Sequence, residues 1–179
     1  MASEKSDAFL FMKNKKVIIS LAGIVSIFLL LVIDQYSKSI ATIQLKGRHS
    51  ISIIKNVLEF AYVENKGAAF GIFSDATLFF IIVSILFSIV AIFYYVYLPL
   101  TNRFIPMRII LIFVISGAVG NLIDRITNHY VIDFIYVKVI NFPVFNIADI
   151  YVTCSIFVFA LLMIFYYKDD DLKYFRIRK

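Results

Sequence analysis

The 179-residue chain is 61% hydrophobic and only 17% charged, with a mean hydropathy of +0.89. A soluble domain carries about a quarter of its residues as charges to cover its surface, so this composition excludes one and implies an integral membrane protein. The formal net charge is +6, and the placement of the basic residues decides what that excess means.

The first uncharged run, Val17 to Ile33, follows Lys13, Lys15 and Lys16 as a secretory signal would. It lacks an Ala-x-Ala cleavage site and runs directly into Asp34-Gln35, so a retained span is expected. Beyond it, Ser50-Ile51-Ser52-Ile53 and Leu58-Glu59-Phe60-Ala61-Tyr62 alternate in part with period two before the turn residues Asn65-Lys66-Gly67. This predicts a small β element outside the membrane. Uncharged runs recur at Ala76 to Leu98, Ile109 to Ile123 and Ile150 to Tyr167, each a plausible span at about 1.5 Å of rise per residue. The segment Tyr130 to Val139 is again rich in β-branched and aromatic residues, so the two outer segments could form one cap.

The expected fold is therefore an all-α membrane protein with a small extracytoplasmic β element. Four transmembrane helices are expected at about 17–33, 76–98, 106–123 and 150–167, with outer cap segments 40–75 and 125–148. No repeat, low-complexity tract or linker divides the chain, so residues 1–179 are expected to form a single domain.

The third run has only 15 uncharged residues, about 22 Å of helix against a hydrocarbon layer of roughly 30 Å. Arg108 can snorkel. Asp124 is then either held at depth for a function or accommodated by local thinning of the bilayer.

The N-terminal tail (Lys5, Lys13, Lys15, Lys16), the loop with Arg103 and Arg108, and the C-terminal tail (Lys168, Lys173, Arg176, Arg178, Lys179) hold 11 of the 18 basic residues. Both termini are accordingly expected on the cytoplasmic side. The seven remaining basic residues lie, with seven acids, in the segments from Asp34 to Asp75 and from Asp124 to Asp149. The excess charge belongs to one membrane face, as a topology signal and an attraction to anionic lipid rather than nucleic-acid binding.

Parity of the spans then places Asp34, Asp124, Asp133 and Asp149 at the outer interface. Any one of them alone reads as an acid marking where a helix leaves lipid; four with polar companions suggest carboxylate chemistry. Lys38 lies four residues after Asp34, on the same face if the helix continues, where it would hold a carboxylate ionised. Arg125 offers a planar fork of donors. Its position next to Asp124 suggests that Asp124 is a paired structural carboxylate. Asn121 and Asn146 can orient a carboxylate or bind a peptide backbone. Asn146-x-x-Asp149 also fits an N-cap with an acid at the third helical position, a local pattern compatible with catalysis because a helix N-terminus favours a charged carboxylate. Two carboxylates close together cannot both ionise easily, so a neighbouring Asp133 would tend to hold a shared proton.

The small residues at Gly67-Ala68-Ala69 and Ser116-Gly117-Ala118-Val119-Gly120 suit close helix contacts in lipid. Those from Gly67 to Gly71, beside Asn65, could also leave room for an extended peptide. Cys154, the single cysteine, reads as packing within the fourth span. His49 and His129 are isolated, with no His-Glu-x-x-His, and read as surface residues.

Five phrases in series, Asp34-Gln35-x-x-Lys38, Asn65-Lys66-Gly67-Ala68-Ala69-Phe70, Gly117-Ala118-Val119-Gly120-Asn121-Leu122-Ile123-Asp124-Arg125, Val131-Ile132-Asp133-Phe134 and Phe142-Pro143-Val144-Phe145-Asn146-Ile147-Ala148-Asp149, resemble the lipoprotein signal peptidases (signal peptidase II) in order and over most of the chain. The resemblance implies a bacterial intramembrane aspartyl protease of the cytoplasmic membrane, with four helices and an outer β cradle. Such an enzyme cuts the signal peptide from a prolipoprotein just before its diacylglyceryl-modified cysteine. Asp133 and Asp149 match the catalytic pair; Asp34, Lys38, Asn65, Asn121, Asp124, Arg125 and Asn146 match residues that support it or hold the substrate backbone. Neither metal nor cofactor is implied, and the partners are the lipidated substrate and membrane lipid, with no nucleic acid; a monomer is the working expectation. Two departures are Ser116, where the family usually has another glycine, and a slightly short stretch from Asp133 to Asp149. A transporter with an outer proton or cation site, a Ser/Lys signal peptidase and a noncatalytic assembly subunit are the rival readings.

Overall fold

The computed structural model describes residues 2–67 and 77–175. Among these residues five α-helices, α1 (Ala2–Leu45), α2 (Thr77–Tyr97), α3 (Ile105–Asn128), α4 (Ile147–Leu161) and the short α5 (Asp169–Leu172), accompany three strands, β1 (Ile51–Ile54), β2 (Leu58–Asn65) and β3 (Val131–Val137). Helix α3 is central and packs against α1, α2 and α4. Among the described residues four helices are long and apolar enough to cross a membrane, over Met12–Leu45, Thr77–Tyr97, Asn102–Asn128 and Ile147–Tyr166. Outward side chains such as Phe28, Leu86 and Phe157 are bulky and exposed, as lipid-facing residues are.

Helix α1 continues through Asp34 to Leu45 instead of stopping at Ile33, and ends at Gly47, whose φ of 73° is a left-handed stop that glycine takes without strain. Residues 40–45 therefore belong to α1, and Asp34 and Lys38 share one helix face. Helix α3 likewise runs past Ile123 to Asn128, and α4 starts at Ile147, three residues before the expected boundary. The small residues of α3 permit its close approach to α1 and α4: a Cβ on Gly120 would lie 2.6 Å from Asp34 Oδ2 and 3.4 Å from Ala148 Cβ.

Arg108 turns inward. Its guanidinium is buried and donates to the carbonyls of Tyr95 and Leu98 at the end of α2, satisfying acceptors that a helix C-terminus leaves open. At the same end of the bundle Leu98, Phe104, Met107 and Tyr167 form a core against which Leu172 and Phe175 fold back, with Arg103 on Asp171 at 2.9 Å.

The strands form one antiparallel sheet in the order β1-β2-β3. The turn between β1 and β2 uses Asn56 at φ 60°, and β2 runs through Asn65 to pair Asn65 with Val131 and Val63 with Asp133. Ala41, Leu45 and Phe134, with Phe60, Tyr62 and Ile147 against them, seat the sheet on the end of α1. Phe145 clamps β3 to the start of α4, since its N–H bonds Ile135 O at 3.0 Å and its carbonyl accepts from Phe134 and Ile135.

Candidate active site

Lys38 is 1% exposed, and its ammonium donates in three directions: to Asp34 Oδ2 at 2.8 Å, Asp124 Oδ2 at 3.0 Å and Asn121 Oδ1 at 2.9 Å. Three donors meet three acceptors, which is the condition under which a buried charge is tolerated. The two carboxylates carry that order outward. Asp34 Oδ1 accepts from Ala148 N at 3.0 Å, fixing the first turn of α4, and Asp124 Oδ2 accepts from Ile132 N at 3.2 Å, fixing the start of β3. Gln35 closes the group by donating to Asp34, Asp124 and Gly120 O at 3.0–3.2 Å.

Because Asn121 Oδ1 accepts from Lys38, its Nδ2 must face the other way, and it donates to Asp149 Oδ1 at 2.8 Å. Asn121 Oδ1 also accepts from Asn146 Nδ2 at 3.1 Å, which orients that second amide, and Asn146 Nδ2 donates to Asp133 Oδ1 at 2.7 Å. One ammonium thus dictates the sense of both amides that reach the two remaining aspartates.

Asn146 is also the N-cap of α4. Its Oδ1 accepts from Asp149 N at 3.0 Å and its N–H donates to Asp149 Oδ2 at 3.1 Å, a reciprocal capping box. Asp133 Oδ2 accepts from Asn65 Nδ2 at 2.8 Å, and Asn65 is held by Gly67 N on its Oδ1 at 3.0 Å. All four oxygens of Asp133 and Asp149 are therefore met by neutral amides. Neither aspartate forms an ion pair among the described residues.

Both aspartates line one cavity of about 480 Å³, walled by Asn65, Phe80, Arg125, Phe142 and the outward face of α4. Burial, and then the nearby Asp149 charge, push the Asp133 carboxyl up to about 7, against the opposing effect of the Asn65 and Asn146 hydrogen bonds. The sign follows directly: Asp133 keeps its proton in the folded protein below about 7 and releases it only above the ordinary carboxylate range. Between 3.8 and about 7 the folded state holds a proton that the unfolded chain has lost, so this group's contribution to stability falls as pH rises through that window.

A family profile described as Signal peptidase (SPase) II matches residues 26–165. The chain belongs to the signal peptidase II family. The lipoprotein signal peptidase of Clostridium novyi is 43% identical over 137 residues, covering 75% of this chain and 91% of that protein. That of Clostridium tetani is 42% identical over 150 residues, covering 82% and 93%. A solved bacterial membrane enzyme, determined by the in meso method at 1.9 Å resolution, superposes with a TM-score of 0.69 at 27% identity, covering 82% of this chain and 94% of that one.

Eight of the nine residues singled out from the sequence, namely Asp34, Lys38, Asn65, Asn121, Asp124, Asp133, Asn146 and Asp149, meet in one hydrogen-bonded network. Arg125 stands apart from it. Asp124 is paired by Lys38, not by its neighbour Arg125, because successive residues on a helix point about 100° apart. Arg125 instead lies over the Phe80 ring at 5.1 Å and faces the cavity. Gln35 and Phe80 were not anticipated as site residues; the one available signal was a second polar side chain, Gln35, directly after Asp34 in an apolar helix. Cys154 is not packed but exposed, on the cavity wall one turn beyond Asp149. His49 and His129 are exposed. Ser116 is buried and donates to Ile112 O at 2.8 Å, so its hydroxyl is satisfied within α3 where glycine would leave none. The expectations for Ala68, Ala69, Phe70 and Gly71, the start of the second span at residue 76, and Arg176, Arg178 and Lys179 lie outside the described residues.

Proposed function

We propose that this signal peptidase II family member is an aspartyl endopeptidase. It cleaves a diacylglyceryl-modified prolipoprotein just before the lipidated cysteine, with Asp133 and Asp149 activating water. The observation that carries the reading is the pair itself: two carboxyl groups held by Asn65, Asn121 and Asn146 at one cavity, with no cation bonded to either among the described residues. Carboxylates in such surroundings share a proton rather than both ionising.

In the reaction one carboxylate removes a proton from a water lying between the pair, and the resulting hydroxide adds to the scissile carbonyl carbon. The protonated partner hydrogen-bonds the carbonyl oxygen as it gains negative charge. When the C–N bond breaks, the cysteine's amino group leaves with a proton returned by the pair. Burial and the neighbouring charge favour Asp133 as the initial proton holder. Arg125, with its charged end facing the cavity, is available to hold substrate carbonyls. Against the Ser/Lys alternative, the ammonium of Lys38 is committed to Asp34, Asp124 and Asn121.

The basic residues of the tails and of the loop at Arg103 and Arg108 support a topology with both termini cytoplasmic and the dyad at the extracytoplasmic face of a bacterial cytoplasmic membrane. A lipidated cysteine beside a signal helix delivers its peptide bond to that depth. Remote contacts with lipid and signal helix then supply binding free energy for positioning the bond.

The test is to offer purified protein in lipid nanodiscs the diacylglyceryl-modified precursor and its unmodified counterpart side by side. Cleavage before the cysteine in the modified precursor alone is expected. Equal cleavage of both would overturn the substrate assignment, and cleavage of neither would overturn the peptidase reading.

A further inference from the structure

The cap carries an exposed apolar surface of its own, outside the four spans. The β1–β2 turn lies beside the 3-10 turn Lys138–Ile140, because Lys138 N and Val139 N both donate to Val57 O, at 2.8 and 3.4 Å. Around this tip Ile53, Ile54, Val57, Val139, Ile140 and Phe142 are all exposed, Val139 by 61% and Ile140 by 68%. A contiguous patch of this kind marks an interaction surface.

The tip presents those side chains on a firm backbone. Asn141 takes φ 50°, its N–H bonds Lys138 O at 3.0 Å, and Tyr136 donates its hydroxyl to Asn141 Oδ1 at 2.6 Å. Phe142 N bonds Val137 O at 3.1 Å. Backbone groups bonded internally in this way are what an apolar medium demands. Lys55 is exposed on the β1–β2 turn, where its stem can run along lipid while its charged end reaches headgroups; Lys138 is paired with Glu59 at 2.6 Å.

Two observations name the occupant. Phe142 belongs both to the patch and to the lining of the dyad cavity, which also includes the exposed Ile150, Thr153 and Cys154 of α4. The patch is thus continuous with the surface that the spans turn toward lipid. We propose that this tip is a membrane-interface wedge, seated in the headgroup and upper acyl region and fixing the cap against the bilayer beside the cavity mouth. This inference goes beyond the assigned reaction and does not depend on it.

The chain contains no tryptophan, so Ile140→Trp and Val139→Trp each create a sole reporter at a position with room for the ring. Each variant is placed in phosphatidylcholine vesicles, with Phe93→Trp on α2 as a lipid-facing reference. Both tip reporters should emit at blue-shifted wavelengths, lose half or more of their emission to lipids brominated near the headgroup end of the acyl chain, and resist aqueous acrylamide. Emission at the aqueous position, quenched by acrylamide and unaffected by brominated lipid while Phe93→Trp is quenched, would overturn the wedge. So would a blue shift insensitive to brominated lipid, which would show that protein and not bilayer covers the tip.

Discussion

Asp133→Asn and Asp149→Asn should each lower cleavage of the lipidated precursor by at least about 10²- to 10⁴-fold, the usual contribution of a positioned acid or base, while the bundle stays folded. The separation of activity from stability follows from the hydrogen bonds. In Asp149→Asn the new side-chain oxygen can still accept from Asn146 N, so the capping box at the start of α4 keeps one of its two arms through the variant and the other through Asn146 itself. In Asp133→Asn an NH2 group would face one of two donors, Asn65 or Asn146. One hydrogen bond is then lost, at a cost of about 1 kcal/mol, while the strained burial of a carboxyl is relieved. Rates of precursor cleavage and thermal unfolding measured on the same preparations separate the two effects. Wild-type turnover by either variant would remove that residue from the chemistry.

Lys38→Met should be the most destabilising single change in the site, by about 3–5 kcal/mol, because it leaves Asp34 and Asp124 buried without their common counter-charge. Those carboxylates tie α1 to Ala148 of α4 and to Ile132 of β3, so the loss spreads to the elements that carry Asp149 and Asp133. Adding Asp124→Asn to Lys38→Met should recover part of the loss, since one of the two stranded charges is removed, and the pair should be strongly non-additive. Lys38→Arg should not substitute, because a planar fork cannot reproduce three bonds diverging from one nitrogen. Thermal melts of the three variants check this. A melting temperature for Lys38→Met equal to that of the parent would show that the buried charges are compensated in some other way.

The architecture was readable from hydropathy because each span is a long uncharged run, and the β cap from alternation interrupted by turn residues. Element ends were less readable. A helix boundary was set where charge begins, at Asp34, at Asp124 and before Ile150. The helices in fact run through these acids, because Lys38, the Ile132 amide and the capping box satisfy them internally. Charge marks a span's end only when water is the partner. Arg108, able by its length to reach the headgroups, turns instead to the carbonyls of Tyr95 and Leu98 where α2 and α3 pack.

Within the site, local signals were legible and cross-helix partnerships were not. Asn146 and Asp149 obey a capping pattern four residues long, visible in the chain itself. Whether Asp124 would pair with Arg125 or Lys38 depends on helix phase and on the meeting of α1 with α3, 83 or more positions apart in sequence. Cys154 was assigned to packing because its neighbours are apolar, yet those neighbours face outward, and an apolar sequence does not distinguish a core from a lipid surface. The one-way orientation of Asn121 and Asn146 by Lys38 could be read only once their atoms were placed.

The central claim is that Asp133 and Asp149 work as a pair sharing one proton. The most direct measurement is infrared difference spectroscopy of aspartate-labelled protein in lipid, wild type against Asp133→Asn, as pH is raised. A protonated carboxyl band present in the wild type under mildly acidic conditions, fading as pH passes about 7 and missing from the variant, is the predicted result. Cleavage activity should decline over the same range. Two carboxyl groups already ionised well below neutrality, with activity unchanged across that range, would contradict the account.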